Sequence, residues 1–391
     1  MSEAGAGAGV ASAAPPRVLM ITPGYPPAVG GAEIQCARLS EALAARGVEV
    51  RVVTRGLRNT PRDETRAAVA IRRSWLGRER RGTVVRLARA LAYLRHIASQ
   101  VHAIAGEPGW VIHHHGLGVG LVAARLAAGR RPPPIVAKVL CGGIGGECAR
   151  LSGEWMFWPV RRVLRHVDRF VALVPSIGDE LAGLGVPSSR VAVVPNGVAL
   201  PPATEAEEPS VPAEPLTVLF GGRLDAQKDL STLLEAWRRV AAAAPAARLV
   251  LAGDGPERLS LTARRAALGL AESIELPGFV ADYPSRLARC AVFVLPSRFE
   301  GMSNALLEAM AAARACVASD LPENRHTLAD AGRYFAPGDA HALAEQLIEL
   351  LGSAAERVRL GARARRRTED RFALGAVADR YLALYRELLA R

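Results

Sequence analysis

Val292-Phe293-Val294-Leu295-Pro296-Ser297 leads within two residues into Glu300-Gly301-Met302-Ser303-Asn304-Ala305-Leu306-Leu307-Glu308, and the reading of this passage decides the fold. The apolar run stopped by proline reads as a short strand buried on both faces, and Ser303 or Asn304 is a good cap for a helix over about 305–313. Glu300 then stands at the carboxyl end of a strand, where open α/β sheets bind ligands. The helix start offers free N–H groups and a positive dipole end that suit phosphate, while a carboxylate accepts paired hydrogen bonds from a sugar diol. A diol and a diphosphate together describe a sugar nucleotide. Taken alone, the passage also fits a surface loop followed by a solvated Glu308.

The same grammar extends in both directions. Residues 17–21 read as a strand, 22–31 as a Gly/Pro-rich loop, 32–46 as a helix and 48–54 as a second strand, with further strands at 110–113, 135–140, 170–174 and 191–194. An acidic, proline-rich stretch at 199–215 reads as a linker. Beyond it the pattern restarts, with strands at 217–220, 248–252, 274–276, 292–295 and 315–318 and a helix at 229–243. The expectation is α/β: two Rossmann-like doubly wound domains, 15–198 and 216–373, facing a central cleft. The Ala/Gly/Ser-rich residues 1–14 read as a disordered tail. A final helix, 374–391, either extends the second domain or crosses back to the first.

Composition narrows the classes. No apolar stretch approaches the roughly 18 residues of a membrane span, and no basic start precedes the Ala/Gly-rich N-terminus, which points to the cytoplasm. The five cysteines are scattered without CxxC spacing, so neither a disulfide framework nor a zinc site is expected. The formal charge of +12 calls for an anionic partner, or reflects an Arg-rich genome. Eight arginines crowd residues 72–95 among apolar residues. From 83 to 101 they read as an amphipathic basic helix for an anionic membrane face or acceptor, with a plain solvated helix as the alternative. Nucleic acid is the weaker partner, because aromatics are few in this stretch.

Three further constellations carry chemistry. Gly221-Gly222-Arg223-Leu224-Asp225-Ala226-Gln227-Lys228 follows a strand and places two cations suited to a diphosphate, its double glycine admitting a ligand close to the backbone. Gly30-Gly31 opens a helix directly after a strand-end loop and offers N–H groups to phosphate. In His113-His114-His115-Gly116, alternation along a strand makes a poor metal trap, and His115, outermost, is the candidate donor to a substrate hydroxyl. No Asp-x-Asp pair occurs, so a divalent ion on a diphosphate has no evident holder and metal-independent chemistry without a cofactor is expected.

In order, these pieces, together with Pro195-Asn196-Gly197-Val198, Gly253-Asp254-Gly255-Pro256 and Pro277-Gly278-Phe279-Val280, resemble glycosyltransferase family four, the retaining GT-B enzymes. The resemblance implies that Glu308 holds ribose hydroxyls and that Glu300 approaches the donor sugar. It implies that Gly301, Met302, Ser303, Asn304 and Ala305 line sugar and phosphate through their backbone, and that Arg223 and Lys228 bind the diphosphate. His115 would touch the sugar near the reaction centre, Gly30 and Gly31 the diphosphate from the other domain, and Val280 the base. Two departures stand out. Ala199-Leu200 replaces the usual Asp after Asn-Gly-Val, which puts a domain-linking role of that turn in doubt, and Asp229, a good helix cap, replaces the usual Gly. The implied activity is transfer of a hexose or N-acetylhexosamine from a UDP- or GDP-sugar to a hydroxyl acceptor such as a lipid-linked saccharide. A GT-B epimerase of sugar nucleotides and a non-catalytic binder of nucleic acid or anionic lipid are the alternatives.

Overall fold

The computed structural model describes residues 15–28, 30–74, 83–201 and 216–391; the expected tail at 1–14 and most of the expected linker lie outside them. Two sheets carry the chain. The first contains β1 (Arg17–Ile21), β2 (Glu49–Arg55), β3 (Asp63–Arg66), β4 (Val69–Ser74), β5 (Trp110–His115), β6 (Ile135–Lys138), β7 (Arg169–Ala172) and β8 (Val191–Val193). The second contains β9 (Thr217–Gly221), β10 (Arg248–Ala252), β11 (Ile274–Gly278), β12 (Val292–Leu295), β13 (Ala315–Ser319) and β14 (Arg333–Phe335). Their orders are β3-β4-β2-β1-β5-β6-β7-β8 and β11-β10-β9-β12-β13-β14, and only the β3–β4 pair is antiparallel. Strand order therefore reverses beside β1 in one sheet and beside β9 in the other. Such switch points open a crevice at the strands' carboxyl ends, and the loops after β1, β9 and β12 carry Gly30-Gly31, Gly222–Lys228 and Glu300.

Most strands were legible because helices cover both sheet faces, which makes them continuous apolar runs. The hairpin β3–β4 was not. Its turn is Ala67-Ala68 with φ of 46° and 62°, a left-handed pair usually marked by Asn or Gly, and β3 is a polar edge. This corrects the basic stretch. Arg73 is 2% exposed and donates to Glu64 (2.7 Å) and to the carbonyls of Pro61 and Pro26, while Arg72 pairs with Asp63. Both belong to the hairpin, so the candidate surface contracts to the helix Thr83–Ile104, residues 75–82 lying outside the described ones.

The last helix, Leu374–Leu389, crosses back to the first domain. Val377, Ala378, Tyr381 and Tyr385 join the core that Val18, Met20 and Val136 form under the helix Gly31–Ala44. The crossing is anchored where Val198 N–H donates to Phe372 O (2.9 Å) and Leu374 N–H to Val198 O (3.0 Å). The Asn-Gly-Val turn thus meets the crossing point of the chain through the backbone of Val198, with no side chain at 199 involved in these two bonds.

All three histidines of β5 are buried, and burial holds each imidazole below its ordinary pKa, His114 at about 4. The unfolded chain takes up these protons near pH 6.5 and the folded chain does not, so stability present above that value is lost as pH falls. Urea unfolding between pH 7.5 and 5.5 is expected to lose up to about 1.4 kcal/mol per pH unit for each of the three. A flat profile would contradict their burial.

Candidate active site

The segment from Ser297 to Glu308 is gripped from both sides. From its own domain, Lys228 Nζ reaches Glu300 Oε1 at 2.5 Å, and Ser297 Oγ donates to the same oxygen at 2.6 Å. Gln227 Nε2 donates to Phe299 O (2.9 Å), and Arg298 N–H to Gln227 O (2.8 Å), so the loop after β9 is laced to the loop after β12. Glu300 is 4% exposed and Lys228 is largely buried beside it, two charges that satisfy each other away from water. Arg223, by contrast, is exposed, its ion-pair partner among the described residues being Asp225 at 3.4 Å.

From the opposite domain, Gly142 N–H donates to Glu300 O (3.1 Å). A Cβ on Gly301 would fall 2.0 Å from Leu140 O, so only glycine permits the approach. Asn196 Nδ2 donates to Met302 O and Asn304 Oδ1, both at 3.1 Å, and Asn196 N–H meets Met302 Sδ at 3.3 Å. Gln35 Nε2 bridges Asn304 Oδ1 (2.9 Å) and Gly197 O (2.8 Å), while Asn304 Nδ2 donates to Gly31 O (2.8 Å). Further along, Arg38 Nη2 donates to Glu308 Oε1 at 2.6 Å. The helices Gly31–Ala44 and Asn304–Ala311 therefore run side by side, touching at Gly31, Gln35 and Arg38 on one and at Asn304 and Glu308 on the other.

Ser303 caps the second of these helices, its Oγ accepting from Leu306 N–H at 3.4 Å. Ala305 is half-buried at its start. Met302 turns its side chain to Asn196, whose N–H meets its sulfur. Val280 is half-buried beyond the end of β11, on the same edge as the loop after β9. Gly30 and Gly31 open the first helix as expected, but Glu33 folds back over them: a Cβ on Gly30 would fall 2.2 Å from its Oε2. A third-position glutamate commonly meets the N-terminal donors, so a diphosphate there would have to displace it.

Three expectations change. His115 is 1% exposed, stacked on His113 at 4.6 Å, and both of its ring nitrogens lack a partner. It is enclosed beside His113 and Lys138, and the first-domain groups seen against Glu300 are Cys141 and Gly142. The Cys141 thiol is pushed up to about 12 by burial and by the Glu300 and Glu147 carboxylates. The first glycine of the pair is needed for packing, since a Cβ on Gly221 would strike Tyr283 at 2.3 Å, and the backbone of the second is approached by Gly253, whose Cβ would fall 1.8 Å from Gly222 O. Asp229 adopts a left-handed conformation, φ 45°, and its carboxylate binds Thr232 Oγ1 and Arg298 instead of capping the helix.

Residues 30–197 match a family described as glycosyl transferase 4-like domain, and residues 215–353 match glycosyl transferases group 1. A 2-deoxystreptamine N-acetyl-D-glucosaminyltransferase of Streptomyces fradiae is 30% identical over 72% of this chain and 73% of its own length. The chain belongs to the glycosyl transferases group 1. A lipopolysaccharide core biosynthesis glycosyltransferase of Rhizobium meliloti, LpsE, is 29% identical over 56% of this chain, and the chain spans 64% of that relative's length. A sucrose-phosphate synthase of Thermosynechococcus elongatus shares the fold at TM-score 0.80 with 22% identity, over 96% of this chain and 99% of that one. The two facing α/β domains are thus a GT-B pair.

In this group 1 chain, site residues missed in the sequence are Gln35, Arg38, Cys141 and the Asn196 side chain, which face the second domain, and Lys138, which stands behind Asn196. Gln35 and Arg38 follow Gly31 at helical spacing, a polar stripe that was there to be read. Lys138, 2% exposed, donates to Asn196 Oδ1 (2.9 Å) and fixes which way that amide points; burial lowers its pKa to about 8. Tyr283 buries an unpartnered hydroxyl beside Gly221, and burial, reinforced by Glu308, raises its pKa far above normal.

Gly301→Ala is expected to push the domains apart while leaving each folded. Small-angle scattering should show a larger radius of gyration with an unchanged unfolding midpoint. An unaltered radius would mean that the Leu140 contact does not set closure.

Proposed function

We propose that the protein is a retaining glycosyltransferase, moving a hexose or N-acetylhexosamine from a UDP- or GDP-sugar to a hydroxyl acceptor held by the first domain. The observation that carries this reading is the convergence of Lys228, Glu300 and the N-terminus of helix Asn304–Ala311 with first-domain backbone at Gly142. Family membership and the naming of its relatives as glycosyltransferases support it.

In this account Glu308 takes the ribose hydroxyls after Arg38 releases it, and the freed Lys228, with Arg223, takes the diphosphate. Glu300 then accepts from hydroxyls of the donor sugar and forms no covalent bond. The bond between the anomeric carbon and the departing phosphate oxygen breaks as the acceptor oxygen bonds the same face of that carbon. The acceptor proton passes to the phosphate oxygen, so a glycoside and a nucleoside diphosphate leave. Charge growing on the diphosphate is met by Lys228, Arg223 and helix N–H groups, which makes the reaction metal-independent.

The acceptor is a saccharide carried on a lipid, and the first domain meets the anionic inner face of a membrane through the helix Thr83–Ile104. Its second half packs through Tyr93, Ile97, Val101 and Ile104, while Val84, Leu87 and Leu91 form an exposed apolar stripe beside Arg86 and Arg95. Among the described residues no helix is long and apolar enough to cross a membrane. Interfacial contact of this kind rests on an apolar face flanked by cations.

A panel of UDP- and GDP-sugars, with and without lipid-linked acceptors and with chelator present, is expected to give turnover for one donor, undiminished by chelator. No turnover and no nucleotide binding across the panel would overturn the reading. Glu308→Ala should weaken nucleotide binding by ~1–3 kcal/mol in calorimetry, through the loss of buried hydrogen bonds. Lys228→Ala should chiefly lower kcat, and an unchanged kcat would contradict its role at the leaving group.

A further inference from the structure

The first domain carries a second constellation that the transfer step does not use. Loop 141–146 rests on Phe299–Gly301, and from it the helix Glu147–Gly153 leads away from the cleft, its start fixed by Glu147 accepting from Leu117 N–H (2.9 Å) and Leu140 N–H (2.6 Å). Seven helical residues cover roughly 10 Å, so Glu154 and Trp155 stand about that far along the helix from its start beside loop 141–146.

Two tryptophans there behave unlike the core ones. Trp110 and Trp237 are 1% and 0% exposed, with their indole N–H groups donating to Glu107 and Ser273. Trp155 and Trp158 are 90% and 55% exposed, and neither N–H has a partner among the described residues. They border a cavity of about 490 Å³ whose wall is completed by Ser152, Glu154, Pro159 and Arg161. The Glu154 and Arg161 side chains make no hydrogen bond or ion pair with described residues. The Arg162 guanidinium lies 4.4 Å from the Trp158 ring centroid and steadies that indole.

A sugar ring has an apolar face of C–H groups and a rim of hydroxyls. Indole faces meet the first, while an unpaired carboxylate, an unpaired guanidinium and indole N–H donors meet the second. The volume falls within the range of small-ligand pockets. An anionic membrane fits less well, because Glu154 would face like charge and lose water without gaining a partner. We propose that Trp155, Trp158, Glu154 and Arg161 form a distal saccharide subsite, which holds a sugar of the acceptor some units away from the hydroxyl that is glycosylated. It rests on the transferase reading of the cleft and makes the acceptor an oligosaccharide rather than a single small ring.

The test is binding of the full chain to an array of immobilised oligosaccharides, compared with the double variant Trp155→Ala/Trp158→Ala and with Glu154→Gln. Because both indoles are exposed, the double variant should keep the wild-type unfolding midpoint and its calorimetric affinity for UDP and GDP. Wild type should be retained on a subset of the array, the double variant should lose about tenfold or more in apparent affinity, and Glu154→Gln should weaken the same spots. Retention undiminished in the double variant, or absent in wild type, overturns the subsite. So does a double variant that loses binding to phosphatidylglycerol vesicles while its array binding is unchanged. Failure of the wild-type chain to bind UDP or GDP would overturn the donor reading of the cleft instead, and the array reports on the subsite independently of it.

Discussion

The side-chain amides of Asn196 and Asn304 hold the two sheets to one another, and the geometry of the cleft follows from them. Asn196 receives the Lys138 cation on its oxygen, which turns its nitrogen toward Met302 O and Asn304 Oδ1. Asn304 in turn passes a donor to Gly31 O, at the start of the first-domain helix. The links through Asn196 are partly or wholly buried, so a polar group left alone there would cost its desolvation, while the Asn304–Gly31 link is exposed. Gly301 completes the closure because no side chain could stand against Leu140 O. The loops at the two topological switch points are thereby brought face to face, and the helix that carries Glu308 is aimed by the opposite domain.

Within this closed cleft the charged groups expected to hold a donor hold each other. Lys228 lies on Glu300, Arg38 on Glu308, and Glu33 over Gly30. On donor binding in the proposed reading, each carboxylate would exchange its partner for sugar or ribose hydroxyls, and the freed cation or N–H group would take phosphate. Such a site stays satisfied without ligand, which lets ionised side chains remain buried at tolerable cost. Binding of a sugar nucleotide is then an exchange of partners, and its net gain is the difference between two sets of charge-assisted hydrogen bonds.

Much of the molecule was legible in the sequence because parallel strands covered by helices on both faces write themselves as short apolar runs, and the loops that follow carry the glycines and charges. Glu300 and Lys228 were singled out in this way, and the structure brings the two together. The hairpin β3–β4 was hidden by an alanine turn and a polar edge strand. The Arg38–Glu308 pair joins residues 270 positions apart, and no local pattern announces such a contact. His115 illustrates a different limit: its place at the strand end beside a glycine reads as exposure, but its burial depends on Leu374–Leu389 crossing back and bringing Tyr381 and Tyr385 against His113, on which His115 stacks. The glycine at 221 fits a ligand or a neighbouring side chain equally well until Tyr283 is in place.

The central claim is that one donor site is built from both domains, and amide hydrogen exchange tests it most directly. Addition of the accepted UDP- or GDP-sugar should slow exchange at 30–35 and at 301–307 together. Slowing confined to 301–307, or absent from both segments while the sugar nucleotide is bound, would contradict the account.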